Sequence, residues 1–210
     1  MRVVIFSWEY PPRVVGKLAA YVDALAGQLV KRKVDTYVVT YHDTLTGETT
    51  EANGAKVTRV NNPVHDHVSL LTWDLTLNEE VERAASNIYY QNYKHIDLID
   101  VHDWHFIPAA AVLKNALHIP FVYSVDSLED HRSPGSDTPF NMAIRGVEWL
   151  GFYEAADVVV KSEWMRDEVA RIYKVPVDKI RVVHPDKPAW IREVLNGYQE
   201  TLMGGQAGGT

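Results

Sequence analysis

Cysteine is missing from all 210 residues, which excludes disulfides, Cys-ligated zinc and thiol catalysis. Depletion of a thermolabile residue type also fits a heat-adapted source. Basic residues are in deficit: 21 Lys and Arg against 28 Asp and Glu leave a formal net charge of -7. Nucleic acids and anionic membranes are held by basic patches, so neither is an expected partner. No apolar run approaches the ~18 residues of a membrane span. Met1 leads directly into a strand-like segment rather than a signal peptide, so the expected location is the cytoplasm. There is no GxGxxG, so a dinucleotide has no support and no cofactor is expected. Internal repeats and heptads are lacking too.

What is present is ordinary globular material. Hydrophobic residues make up 46% and charged residues 23%, enough for the core of one large domain. Residues 3–7 (VIFS after Val3) form an apolar run closed by Glu9-Tyr10-Pro11-Pro12, as in a buried parallel strand running into a loop. Leu18, Val22, Leu25, Ala26, Leu29 and Val30 then recur at helical spacing, and Lys31-Arg32-Lys33 suits the negative end of a helix dipole. Residues 34–41 read as the next strand. The opening is therefore β-loop-α-β, the first unit of a parallel sheet with right-handed crossovers.

Residues 48–61 read as a hairpin with Asn53-Gly54 at its turn. Residues 65–95 read as mostly helical, 96–101 as a strand, 107–117 as a helix and 119–125 as a strand. A polar loop over 130–139 precedes a helix over 142–155, a strand over 157–160, a helix over 163–173 and a strand over 180–183. An amphipathic helix over 190–202 ends in Gly204-Gly205-Gln206-Ala207-Gly208-Gly209-Thr210, which has linker composition. The fold class is α/β, a Rossmann-like, doubly wound, mostly parallel sheet.

Ligands in such sheets collect outside the carboxyl ends of the strands, and three loops there carry unusual residues. In Glu9 to Lys17, Gly16 lets backbone approach a ligand, and a helix start presents N–H groups to phosphate; the alternative is a simple turn. In His102-Asp103-Trp104-His105, carboxylate and imidazole suit sugar hydroxyls and the indole a sugar face. Metal ligation there has no third ligand set in support, and a histidine satisfied in the core is the competing reading. In residues 124–132, Asp126 and Glu129 form either an acid/base pair or caps of the next element.

Taken in order, these loops resemble the glycogen/starch synthase group of retaining glycosyltransferases and its sucrose-synthase-like relatives. Glu9-Tyr10-Pro11-Pro12 with Val15-Gly16 is similar to their EYPP…VGGL. Asp97 to Trp104 is similar to their HDW strand end, and Ile119 to Glu129 to IP-x-V-x-T-(I/V)-H-S-L-E. Glu148 to Pro185 follows their E…AD-x-V…SEWM…Y-x-VP-x-DKIRV-x-P. The matches run in order from residue 3 to about 185.

The resemblance implies the amino-terminal, acceptor-side half of a GT-B enzyme, two Rossmann-like domains facing across a cleft. It implies an α-glucan acceptor and an ADP-glucose or UDP-glucose donor held with the second domain. Transfer would retain configuration and need no metal. Residues 1–189 would be the acceptor-side domain and 190–210 the connecting helix and tail. Catalytic positions fall on Asp126, His102 and Asp103, and substrate-binding positions on Tyr10, Gly16, Lys17, Trp104 and Glu129.

Departures fall on these motifs. Lys17 stands at the second glycine of VGGL, Asp126 at the motif histidine, and His184-Pro185-Asp186-Lys187-Pro188 at the P-N-G turn. They leave open a degenerate paralogue and an engineered or truncated domain, and a glucan- or partner-binding module or inert scaffold instead of a transferase. Isolated, such a half is expected to be inactive and to keep a sticky edge that favours weak self-association, with Trp190, Ile191, Val194, Leu195 and Tyr198 folding back on the sheet.

Overall fold

A computed structural model describes residues 1–207; Gly208-Gly209-Thr210, the end of the expected linker, lie outside the described residues. Along the chain come β1 (Arg2–Ser7), α1 (Leu18–Lys31), β2 (Asp35–Tyr41), β3 (Gly47–Thr50), β4 (Lys56–Val60) and α2 (Leu70–Gln91). Then follow β5 (Leu98–His102), α3 (Ile107–Leu117), β6 (Phe121–Ser124), α4 (Glu129–Arg132) and α5 (Pro139–Glu154). Last are β7 (Asp157–Val160), α6 (Glu163–Tyr173), a 3-10 turn at Val177–Lys179, β8 (Ile180–Val182) and α7 (Trp190–Ala207). The eight strands form one sheet in the order β3-β4-β2-β1-β5-β6-β7-β8. Every pairing is parallel except β3 with β4, the hairpin read from Asn53-Gly54. The α/β expectation holds.

Strand alternation distributes the core over both faces. Val4 and Phe6 of β1 point toward Leu77, Val81, Leu113 and Phe152 of the helices on one side. Val3 and Ile5 point the other way, to Val22, Leu25 and Leu29 of α1 and to Ile191, Val194 and Tyr198 of α7. The apolar stripe of the last helix is thus folded back and buried. Among the described residues no helix is long and apolar enough to cross a membrane.

Three boundaries differ from the sequence reading. The polar loop over 130–139 holds a helical turn at its start, and α5 begins at Pro139 rather than Met142. There Thr138 accepts from the Asn141 N–H and proline takes the first helical position, where its missing N–H costs nothing. The capping box at Ser69 and Thr72 sets the start of α2. And α7 runs on to Ala207 through glycines read as linker. Once nucleated, a helix gains a hydrogen bond per added residue, which offsets the ~1 kcal/mol that each glycine costs.

Candidate functional site

The loop after β1 is held from within. Ser7 Oγ donates to the Glu9 carbonyl at 2.7 Å. The Glu9 side chain, buried, accepts from the Gly16 N–H at 2.7 Å and from the Val15 N–H. A Cβ on Gly16 would stand 3.3 Å from Glu9 Oε1. The backbone donors that the sequence offered to phosphate are therefore occupied by a carboxylate. Lys17 is exposed at the N-cap of α1 and makes no side-chain capping bond.

Tyr10 needs correction: it does not line a cleft. It is 1% exposed, its hydroxyl donating to Asp23 Oδ1 at 2.9 Å and accepting from Asn53 Nδ2 at 3.2 Å. Burial pushes that hydroxyl's pKa up. The ring locks the loop to α1 and to the hairpin turn.

Two residues earlier, Trp8 does reach a pocket. A cavity of about 530 Å³ opens at the carboxyl ends of β1 and β2, with Trp8, Tyr41 and Trp73 as its aromatic walls. Trp8 and Trp73 meet edge to face at 5.2 Å, as do Tyr41 and Trp73 at 4.9 Å. The Arg13 guanidinium lies 4.4 Å over Trp8 and 4.8 Å over Tyr41. It donates to the Trp8 carbonyl at 3.0 Å and pairs with Asp43 at 3.5 Å. Tyr41 donates to Asp43 Oδ1 at 2.6 Å. That bond, with Arg13 adding to it, holds the Asp43 carboxyl below its ordinary range. Burial and then Asp43 push the Tyr41 hydroxyl up to about 12. His65 and His67 complete the rim. An aromatic wall beside a fixed guanidinium and carboxylate suits a ring with apolar faces and a hydroxyl edge. The sequence reading missed this pocket, although Trp8 and Tyr41 stand at the carboxyl ends of strands, where ligands collect.

The loop after β5 divides its residues between interior and edge. His102 is corrected: its side chain is 1% exposed and faces the core rather than a sugar. Its Nε2 lies 3.1 Å from Asp100 Oδ2 without hydrogen-bond alignment. Asp100 accepts from Ser124 Oγ at 2.7 Å and from the Tyr198 hydroxyl. Burial alone would raise the Asp100 carboxyl, but His102, Tyr198 and Ser124 together hold it below its ordinary value. Trp104 is corrected likewise. It is buried against His105 at 4.0 Å, with no free face for a sugar. His105 stacks on Trp8 at 4.2 Å and bonds Asp74 at 3.0 Å, so its imidazole braces the pocket from below.

Asp103 is half-buried at the edge, with φ +62°, a left-handed conformation that Asp and Asn tolerate better than most residues. Ser127 Oγ donates to its Oδ2 at 3.2 Å, and Arg132 stands 3.9 Å from its Oδ1. Burial raises the Asp103 carboxyl, against the pull of Arg132, and the charge of Asp126 raises it further. Asp126, half-buried beside it, pairs with Lys161, whose ammonium lies 4.1 Å over the Tyr21 ring.

Glu129 is corrected from a substrate contact to an anchor. It is 2% exposed, accepting from Asn141 Nδ2 at 2.6 Å and from Arg132 Nε at 3.0 Å. Its own N–H donates to Glu148 Oε1 at 2.8 Å, which also takes Arg132 Nη2 at 2.6 Å. The structure thus brings Asp103, Asp126, Arg132 and Lys161 together at the carboxyl edge. It withdraws Tyr10, His102, Trp104 and Glu129 into the interior.

Comparison with known proteins gives the family and the fold. The sequence matches the family described as Glycosyltransferase Family 4 over residues 18–185. An uncharacterized glycosyltransferase of Methanocaldococcus jannaschii is 33% identical over 204 residues, 96% of this chain and 50% of that protein. A glycogen synthase of Mycobacterium tuberculosis is 24% identical over 197 residues, 87% of this chain and 47% of that protein. The chain spans about half the length of the curated relatives it matches. A solved sucrose-phosphate synthase chain from Thermosynechococcus elongatus is similar with a TM-score of 0.69 at 12% identity, covering 97% of this chain and 98% of that one. The catalytic domain of starch synthase IV from Arabidopsis thaliana, bound to ADP and acarbose, gives 0.54 at 15% identity, over 95% of this chain and 50% of that one. At these identities the structures show the fold, one half of the GT-B architecture.

Proposed function

Given that this chain belongs to glycosyltransferase family 4, we propose that it is the acceptor-side half of a retaining transferase. The enzyme moves glucose from ADP-glucose or UDP-glucose to an α-glucan, and this half is silent by itself. The observation that carries the reading is the aromatic pocket of Trp8, Tyr41 and Trp73, with Arg13 and Asp43 fixed at its mouth. The starch synthase neighbour bound to ADP and acarbose supports a nucleotide-sugar donor and a saccharide acceptor. Residues 1–189 are the acceptor-side domain in this reading, and 190–210 the connecting helix and tail.

In this reading each residue has a role. Trp73 stacks on an acceptor ring, with Trp8 and Tyr41 as neighbouring walls, while Arg13 and Asp43 bond its hydroxyls. Asp103 and Asp126 face the reaction centre, and Arg132 and Lys161 keep two neighbouring carboxylates from repelling each other apart. Gly16 and Lys17 meet the donor diphosphate. A diphosphate reaching the Val15 and Gly16 N–H groups must displace the Glu9 carboxylate, an anion exchanged for an anion. Retaining transfer rests on positioning and on stabilising the departing diphosphate, much of which the second domain supplies.

A second reading, a non-catalytic glucan- or partner-binding module, is favoured by the internal pairing of this edge. Glu9 fills the N–H cradle and Lys161 neutralises Asp126 without any ligand. Calorimetric titration with maltoheptaose and with ADP-glucose or UDP-glucose, run beside transfer of labelled glucose to glycogen, tests both. The expected outcome is saccharide binding that Trp73→Ala abolishes, and no transfer. Absence of saccharide binding, or label above a heat-killed control, overturns the proposal. Restoring Lys17→Gly and Asp126→His beside a family second domain raises transfer in a damaged transferase and leaves a binding module unchanged.

A further inference from the structure

The outer face of α5 carries a stripe that its own fold leaves uncovered. Met142, Gly146, Trp149 and Tyr153 follow one another at helical spacing, and the three side chains are 59%, 52% and 66% exposed. A Cβ on Gly146 would meet open space. The Trp149 and Tyr153 rings stack at 5.2 Å and 10°. Beside them a groove of about 360 Å³ runs over Phe152, Tyr173, Val175 and Pro176. The stripe spans about 17 Å at ~1.5 Å per residue.

This stripe is complementary to itself. Laid antiparallel about a two-fold axis midway between Gly146 and Trp149, each Trp149 meets the other copy's Gly146, and each Met142 meets the other copy's Tyr153. A large ring thus fills the gap over a residue without a side chain, and a thioether meets an aromatic ring. Charge runs the same way. The amino end of α5 holds Asp130 and Asp137 against Arg145 alone, an acidic surplus. The carboxyl end has Lys174 and Lys179 on the groove against exposed Asp178, with Lys114 and Glu154 paired to each other, a basic surplus. The same antiparallel arrangement sets acidic end against basic end twice, as an isologous interface requires.

The geometry points to a second copy of this chain as the occupant of the α5 face, giving a weak, reversible two-fold dimer on a surface apart from the carboxyl-edge pocket. Sedimentation of the full chain from about 10 μM to about 1 mM, the range of weak affinities, tests this. A monomer–dimer equilibrium is expected. Trp149→Lys and Tyr153→Lys, at exposed positions that keep the far-ultraviolet spectrum, each raise its dissociation constant about tenfold or more. Asp137→Lys or Lys174→Asp alone weakens it, and the two together restore it. A chain monomeric at the highest concentration, a dimer indifferent to Trp149→Lys, or a charge swap without recovery overturns the inference.

Discussion

At Asp103 backbone and charge make separate demands. Its φ of +62° suits Asp or Asn and strains most other residues, while burial raises its carboxyl above the ordinary 3.8. An acid whose pKa is raised by folding contributes stability that is full below its unfolded pKa and is lost as pH rises through the folded value. Asp103→Asn keeps the backbone and removes the titration. Its stability relative to the parent chain should therefore rise between pH 3.5 and pH 7 in urea unfolding. Asp103→Ala also removes the titration but strains the left-handed turn by roughly 1 kcal/mol, so it should lie below Asp103→Asn at both pH values. Equal stabilities for the two variants would show that the backbone relaxes there.

Among the elements, α4 and α5 are joined through one guanidinium. Arg132 donates to Glu129 and Glu148, and Glu148 is 0% exposed. Burial raises the Glu148 carboxyl against the pull of Tyr173 and Arg132, so its charge depends on those partners. Arg132→Met should cost roughly 3 kcal/mol, the low end for breaking a buried pair, because Arg132 keeps some solvent contact. The loss should appear in the urea midpoint, and the Asp103 carboxyl should move further up in a carbon-13 titration. A change under about 0.5 kcal/mol, the scale of ordinary surface substitutions, would place Arg132 outside the structural core of this edge.

For the whole molecule, α7 decides whether the sheet is covered on both sides. Ile191, Val194 and Tyr198 close the face made by Val3, Ile5, Leu98 and Val122, and Tyr198 reaches Asp100 in the middle of the sheet. A chain ended at residue 189 uncovers that face and takes the Tyr198 hydroxyl from Asp100, leaving Ser124 as its hydroxyl donor. It should bind a hydrophobic dye and lose cooperative thermal unfolding, as states without fixed packing do. Retention of a sharp transition would make α7 an appendage.

Local patterns carried the order and type of the elements. Apolar runs of strand length between amphipathic helices left little besides a parallel sheet, Asn53-Gly54 marked the hairpin, and the ordered loop motifs pointed to the family. Side-chain accessibility was not legible, because it depends on what packs from distant parts of the chain. Strand alternation sends His102 inward beneath Tyr21, while the left-handed turn at Asp103 keeps the next carboxylate at the edge. Tyr10 is buried by a turn some forty residues away, and Trp8 gains a pocket because Tyr41 and Trp73 arrive from β2 and α2. Glu129 reads as a site residue in its motif and becomes an anchor when Arg132, Asn141 and Glu148 surround it. Periodicity and motif order are properties of neighbours in the chain and could be read from it; burial and convergence are properties of neighbours in space, and the packing of the sheet decided them.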